Sequence, residues 1–240
     1  LDFSNEALQA AEKGLKRIML AYKDLCKNEE FDLVYIATDW LDHVPVALCA
    51  MENGHHAAIE VPSAMTVKDC WDLVDMSERK RLHCTILENC CYDFFEMSTL
   101  NMAQQGLFGE VYHVEGAYIH YLAEDWSFNE QWRLDYNMAH RGDNYPTHGL
   151  GPICQVMNIH RGDKMDYLVA MDTPSYNGRK AAKELRGVDE CIDGDHTISL
   201  IQTNKKHLIE VQHNVYCPRP YTRMHQLNGD KGFASKYPIQ

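Results

Sequence analysis

The sequence predicts an α/β protein: a doubly wound layer with a parallel sheet, followed by an α+β half whose open sheet is largely antiparallel. Three observations carry this. Residues 31–38 (Phe-Asp-Leu-Val-Tyr-Ile-Ala-Thr) form a short apolar run rich in branched residues, as in a strand covered on both faces. Strand-like and helix-like segments then alternate as far as residue 88. Beyond residue 92 several period-two strands follow, two of them joined by a hairpin-like turn at Asn204-Lys205-Lys206.

Taken in order, residues 5–28 read as an amphipathic helix, and the strand at 31–38 leads into a helix over 43–53 closed by Gly54. The next apolar run ends at Glu60. Thr66-x-x-Asp69 resembles a capping box, opening a helix with Trp71, Leu73 and Val74, and residues 84–88 form another strand. Residues 92–105 predict a helix ending at Gly106. Residues 110–121 alternate, with Val111, His113 and Glu115 against Tyr112, Val114 and Gly116, as a half-exposed strand does. Later strands are expected over 167–171, 196–203, 207–216 and 221–228. Two domains result, 1–91 and 92–240. In such folds a ligand gathers where the carboxyl ends of the first domain's strands meet the second domain, which puts the segment from Thr38 to His43, Glu60 and Asn89 around one cleft. No G-x-G-x-x-G stands on a first strand, so the loop that holds a pyrophosphate in such layers is not in this chain.

Composition narrows the partners. The 240 residues are 45% hydrophobic and 24% charged, as in globular proteins, and a formal charge of -12 with no basic run disfavours nucleic acid. A small polar molecule is the expected ligand. No apolar stretch approaches the roughly 20 residues that span a bilayer, and no charged-then-apolar leader opens the sequence, so a soluble protein is expected. The compartment stays open between cytoplasm and export with a removed leader. Nine cysteines lack a C-x-x-C, and the adjacent Cys90 and Cys91 suit a mutual disulfide poorly, so free, buried thiols are expected. Thirteen histidines show no metal-ligand spacing, and no metal is expected.

Two motifs are read as structural. Arg-Gly-Asp at 141–143 and again at 161–163 is a turn that uses glycine for a positive φ rather than an adhesion signal. Gly149-Leu150-Gly151-Pro152 is half of a phosphate loop with no strand before it, and Pro152 predicts the first residue of a helix.

The order Val34-Tyr-Ile-Ala-Thr38, His43-x-Pro45, Gly54, Glu60-Val61-Pro62 and Asn89 resembles the Rossmann-like cofactor domain of the Gfo/Idh/MocA proteins. Where many of those enzymes carry Glu-Lys-Pro, with the lysine as proton relay, this chain has Val61, which relays no proton. Ala37-Thr-Asp-Trp40-x-x-His43-Val-Pro45, Leu87-Glu-Asn-Cys-Cys-Tyr-Asp93, Tyr145-Pro-Thr-His-Gly-Leu-Gly-Pro152 and His213-Asn-Val-Tyr216 through Tyr221 resemble glycoside hydrolase family 109 more narrowly. The resemblance runs over residues 31–240.

That resemblance implies an NAD-dependent glycosidase acting on α-linked N-acetylgalactosamine or a related sugar, with no net redox change. Hydride leaves the sugar C3 for NAD⁺, the C2 proton is removed, the glycosidic oxygen is eliminated, water adds and hydride returns. Such steps need positioned groups that titrate near neutrality, and the resemblance supplies His148 and Tyr145 as catalytic candidates, with the role of C2 base open between them. Thr38, Trp40, Leu41, Asp42, His43, Glu60, Val61 and Asn89 are the implied cofactor residues, Trp40 by stacking, Glu60 and Asn89 by hydrogen bonding. Tyr118, Arg133, Tyr145, Pro146, Thr147, His148, Tyr216 and Tyr221 are the implied sugar residues. Glu88, Asp93 and Glu96 could suggest a two-carboxylate glycosidase, but they form no evident opposed pair. The alternatives are an NAD(P)-dependent sugar or polyol oxidoreductase, against which Val61 speaks, and a non-catalytic sugar-binding protein. A homo-oligomer built through the sheet at 110–216 is expected.

Overall fold

The computed structural model describes residues 21–129 and 131–237. The amphipathic helix expected over 5–28 lies outside the described residues as far as residue 20, and residues 21–28 are helical (α1). The chain divides into two compact units, one ending at Leu87 and the other running from Glu88. Residues 88–91, assigned from the sequence to the first domain, therefore belong to the second unit. Their turn packs on a helix of that unit, as described below.

The first unit holds a three-stranded parallel sheet in the order β1 (Leu33–Ile36), β2 (His56–Ile59), β3 (Cys84–Ile86). Helix α2 (His43–Glu52) joins the first two strands and α3 (Val67–Lys80) the last two. Ile36, Val44, Val46, Ala47, Met51, Ala57, Ile59 and Leu73 form its core. Among the described strands of this unit, only the middle one is covered on both faces, with Ala57, Ala58 and Ile59 all buried. At the sheet edge β1 departs from the expectation, since Leu33 and Tyr35 are 52% and 60% exposed. Helix α3 opens on the expected cap: Thr66 Oγ1 accepts from the Asp69 N–H at 3.1 Å. Leu73 is buried whereas Trp71 and Val74 are exposed, because two residues at 100° each place Trp71 nearly opposite Leu73 around the helix.

In the second unit the chain order is α4 (Phe94–Gln104), β4 (Val111–Ile119), α5 (Trp126–Asn129), α6 (Gln131–Ala139), α7 (Thr147–Val156), β5 (Met165–Asp172), α8 (Asn177–Arg186), β6 (Thr197–Thr203), β7 (Leu208–Asn214), β8 (His225–Gly229) and β9 (Phe233–Ser235). The strands make one mixed sheet, β5-β6-β7-β4-β8-β9, in which only β4 and β7 pair in parallel. The strand expected from residue 221 starts at His225, with Thr222 making an isolated bridge to Ile119. The alternation of β4 holds in its first half and then gives way to burial of Gly116, Ala117, Tyr118 and Ile119 on both faces. Val114, Ile153, Val156, Ile201, Ile209, Val211 and Leu227 are among the residues of this unit's core.

Helix α7 corrects the reading of Pro152. The helix begins at Thr147 after Pro146, and Pro152 lies inside it. Proline does favour helix starts, but it is Pro146 that stands at this one; Pro152 leaves the His148 carbonyl without its usual i+4 donor. The glycines of the same segment are there for close packing. A Cβ on Gly116 of β4 would lie 2.3 Å from the Gly149 carbonyl oxygen, and one on Gly151 would lie 2.8 Å from Glu88 Cγ. Both Arg-Gly-Asp segments do turn at a glycine of positive φ, +108° at Gly142 and +145° at Gly162.

Candidate active site

In the first unit, the residues expected around a cofactor cluster at the carboxyl ends of β1 and β2. Thr38, Leu41 and Glu60 are exposed, and Asp42 and Val61 are half-buried. The Glu60 carboxylate accepts a hydrogen bond from the Tyr35 hydroxyl. Trp40 and His43 depart from the expected contact roles. Trp40 is 4% exposed, which leaves little of its ring for stacking. His43 is buried, with Nδ1 2.7 Å from the Pro62 carbonyl oxygen and Nε2 3.0 Å from that of Thr38. It therefore ties the loop after β1 to the loop after β2.

The second unit assembles an aromatic and histidine cluster from distant segments. Tyr118 comes from the end of β4, Tyr145 from the loop before α7, His148 from the first turn of α7, His213 from β7, and Tyr221 from the segment before β8. The Tyr118 ring lies 5.2 Å from Tyr145, 5.1 Å from His148, 6.2 Å from His213 and 6.5 Å from Tyr221. Tyr145 and His148 meet edge to face at 4.8 Å. The Tyr118 hydroxyl bonds His120 Nδ1 at 2.8 Å, and the His120 ring stands edge-on to Tyr221 at 4.9 Å. The pleat and register of β4 and β7 place Tyr118 beside His213.

His148 is held from below. Its Nδ1 lies 2.7 Å from Glu88 Oε1, which also accepts the Cys90 N–H at 2.9 Å. Burial raises the Glu88 pKa, but the bond and charge of His148, together with the Cys90 N–H, outweigh it and leave the carboxyl below its ordinary value. Burial acts the other way on the tyrosines: it pushes the hydroxyls of Tyr145 and Tyr118 well above the ordinary tyrosine range. Burial therefore opposes ionisation of the Tyr145 hydroxyl. It remains a hydrogen-bond donor. Arg133 adds positive charge near Tyr118, His120 and Tyr145 and stacks on Trp132 at 4.9 Å.

Glu88, Cys90 and His148 bring one donor atom each within 4.8 Å of one another, a spacing that could hold a metal ion. The surroundings oppose it. Arg223 Nη1 lies 2.8 Å from Cys90 Sγ, so a guanidinium already brings positive charge there, and burial pushes the Cys90 thiol up to about 12. The group reads as a carboxylate–histidine pair beside an arginine-covered thiol.

Other candidates fall elsewhere. Tyr216 is 1% exposed, donates its hydroxyl to Asp193 at 3.2 Å and packs on Phe128, so it supports the core rather than facing a sugar. Asn89 is exposed at the start of a 3-10 turn beside Glu88. Pro146 and Thr147 flank the start of α7, with the Thr147 hydroxyl buried and Pro146 accepting the Leu150 N–H at 2.8 Å. Asp93 and Glu96 both bind Lys236, at 3.2 and 2.7 Å. Glu88 as the partner of His148, and His120, His213 and Arg223, were not picked out as site residues from the sequence. Glu88 had a signal in standing next to Asn89, and His213 in opening the segment that runs to Tyr221; His120 and Arg223 are joined to the cluster only by contacts in space, to Tyr118 and to Cys90.

Residues 92–239, more than half of the chain, match the family Glycosyl hydrolase 109, C-terminal domain. The chain belongs to glycosyl hydrolase family 109. Residues 2–87 of this family 109 chain match the Oxidoreductase family, NAD-binding Rossmann fold. Glycosyl hydrolase family 109 protein 5 of Phocaeicola vulgatus is 55% identical over 98% of the chain, and protein 1 of Bacteroides fragilis is 57% identical over 92%. The chain spans about half of these relatives, 46% and 48% of their lengths. Among solved structures, scyllo-inositol dehydrogenase of Lactobacillus casei, with bound NAD(H) and scyllo-inositol, superposes with a TM-score of 0.69 at 15% identity, covering 91% of this chain and 61% of that one. An inositol dehydrogenase homolog of Azotobacter vinelandii, complexed with NADH and myo-inositol, gives 0.71 at 15% identity, covering 89% and 54%. These likenesses bear out the family 109 resemblance and the fold of a Rossmann-like unit followed by an α+β unit with a mixed sheet.

Proposed function

We propose that the protein is an NAD-dependent glycosidase acting on α-linked N-acetylgalactosamine or a close relative. The observation that carries this reading is a histidine backed by a buried carboxylate at the edge of a tyrosine-lined cluster, in a chain of family 109. An aromatic surface with an arginine charge nearby suits a sugar ring bearing an acetamido group. His148, engaged through Nδ1 by Glu88, has Nε2 to take a proton from the sugar. Tyr145, kept protonated by burial, donates to a sugar oxygen, and Tyr118 and Tyr221 shape the ring site.

Bound NAD would supply a reversible hydride acceptor. The first unit fits one end of it: Thr38, Glu60 and Asp42 offer polar groups at the carboxyl ends of parallel strands, where such cofactors bind. Val61 lines that place without acid–base chemistry, and His43 holds its two loops together.

The test is incubation of the complete protein with a chromogenic α-N-acetylgalactosaminide in deuterated water. Aglycone release without added NAD, with deuterium entering C2, is the expected result; the absence of both release and exchange sinks the reading. The sugar oxidoreductase alternative has its own signature, steady NADH accumulation from free NAD⁺ and a sugar panel.

The same reading includes a homo-oligomer. Tyr167, Val169 and Met171 of β5 are 54–77% exposed, and Leu200 and Ile198 of β6 pair with Val169 and Met171, an apolar face of the kind a second copy covers.

A further inference from the structure

We infer that Glu88 is a positioning residue for His148, holding the imidazole as its Nδ1–H tautomer so that Nε2 stays bare to accept the sugar proton. This rests on the proposed role of His148 but adds a residue and a protonation pattern to it.

The geometry is specific. Glu88 Oε1 lies 2.7 Å from His148 Nδ1, across sixty residues of sequence, with Glu88 buried and the His148 side chain 11% exposed. The carboxylate cannot swing to follow the ring, because the same oxygen accepts the Cys90 N–H at 2.9 Å. Two glycines make the approach possible. The absence of a Cβ at Gly151 leaves room for Glu88, and Gly149 lets α7 settle against Gly116 of β4, which brings the first turn with His148 over the 88–91 segment. An ionised carboxylate accepts but cannot donate, so a neutral His148 bonded to it carries its proton on Nδ1. Histidine bases generally need such a partner to fix the tautomer, and replacing the carboxylate by an amide in a comparable pair costs on the order of 10⁴ in kcat. A surface ion pair would do none of this.

The experiment uses ¹⁵N-histidine-labelled protein, with the His148 signals assigned by comparison with His148→Gln, and NAD-loaded complete enzyme for kinetics. In the wild type the neutral His148 ring is expected to show a protonated Nδ1 and a bare Nε2. Glu88→Ala is expected to shift the proton toward Nε2, and Glu88→Gln to lower kcat by roughly 10²–10⁴ with KM little changed. A wild-type ring protonated on Nε2 overturns the inference, whether or not any variant folds. So does a Glu88→Ala tautomer identical to the wild type, or a Glu88→Gln enzyme of undiminished kcat. If the tautomer behaves as expected but the wild type never cleaves or exchanges the glycoside, the positioning stands and the glycosidase reading is the one that fails.

Discussion

A side chain's chemistry in this molecule depends on what buries it. Tyr145 and His148 sit three residues apart, and the sequence offers both as acid–base groups. Burial then separates them: the phenol is driven away from neutrality, and the imidazole gains a carboxylate on one nitrogen. His148→Ala is therefore expected to lower turnover by about 10²–10⁴, the usual worth of a positioned base, with chromogenic release as the measurement and retained circular dichroism as the control for folding. Activity near the wild-type level would remove His148 from the mechanism. The Tyr145 to His148 tetrapeptide was legible because it is contiguous. Glu88 was legible only as one of three carboxylates, since its partner lies sixty residues further along the chain. Trp40 and Tyr216 show the converse: aromatics beside a motif invite a ligand role, and only burial shows that they belong to the packing.

At the level of elements, α7 decides whether the site exists. It lies against β4 through Gly116 and Gly149, and a Cβ at position 116 would come within 2.3 Å of backbone oxygen. Backbone cannot give way as a flexible side chain does, so Gly116→Ala is expected to cost about 1–3 kcal/mol and to displace the turn carrying His148. Denaturant midpoints and the His148 tautomer would show it; a variant with wild-type stability would show that the helix yields without cost. The sequence announced a helix start at Pro152 and half of a phosphate loop at Gly149 and Gly151, and both readings rested on local pattern. Pro152 is instead tolerated inside the helix, and Gly149 answers to strand β4 and Gly151 to Glu88, both distant in sequence.

Across the second unit, a buried acid network makes stability depend on pH. Asp193 is 1% exposed, and burial together with the charges of Asp143 and Asp172 pushes its pKa up to about 7, although the Tyr216 hydroxyl and the Gly142 N–H pull it down. The unfolded value is near 3.9. A folded-state pKa raised above the unfolded one gives stability that is present below about pH 4 and is lost as pH rises through about 7, a change of roughly 4 kcal/mol. Asp193→Asn should therefore gain stability relative to the wild type between pH 5 and pH 8, read by urea denaturation at each. An unchanged difference would place the titration elsewhere. For the assembly, light scattering is expected to give a multiple of the chain mass, and Val169→Lys with Met171→Glu on the exposed β5 face to lower it. A monomeric wild type would remove the oligomer from the proposal.

The sequence by itself determined the family, the alternation of strands and helices as far as residue 88, all but the last of the later strands, and the contiguous candidate segments of each unit: Glu60-Val61-Pro62 in the first, Asn89 and Tyr145 to His148 in the second. These are local patterns, carried by residues close along the chain, and periodicity and propensity act over the same short range. The tertiary structure decided which pieces meet. Strand pairing set Tyr118 beside His213, glycine contacts lowered α7 onto β4, and burial left Tyr145 a donor and Glu88 the anchor of His148. Desolvation and hydrogen bonding depend on neighbours in space, and no spacing along the chain encodes them.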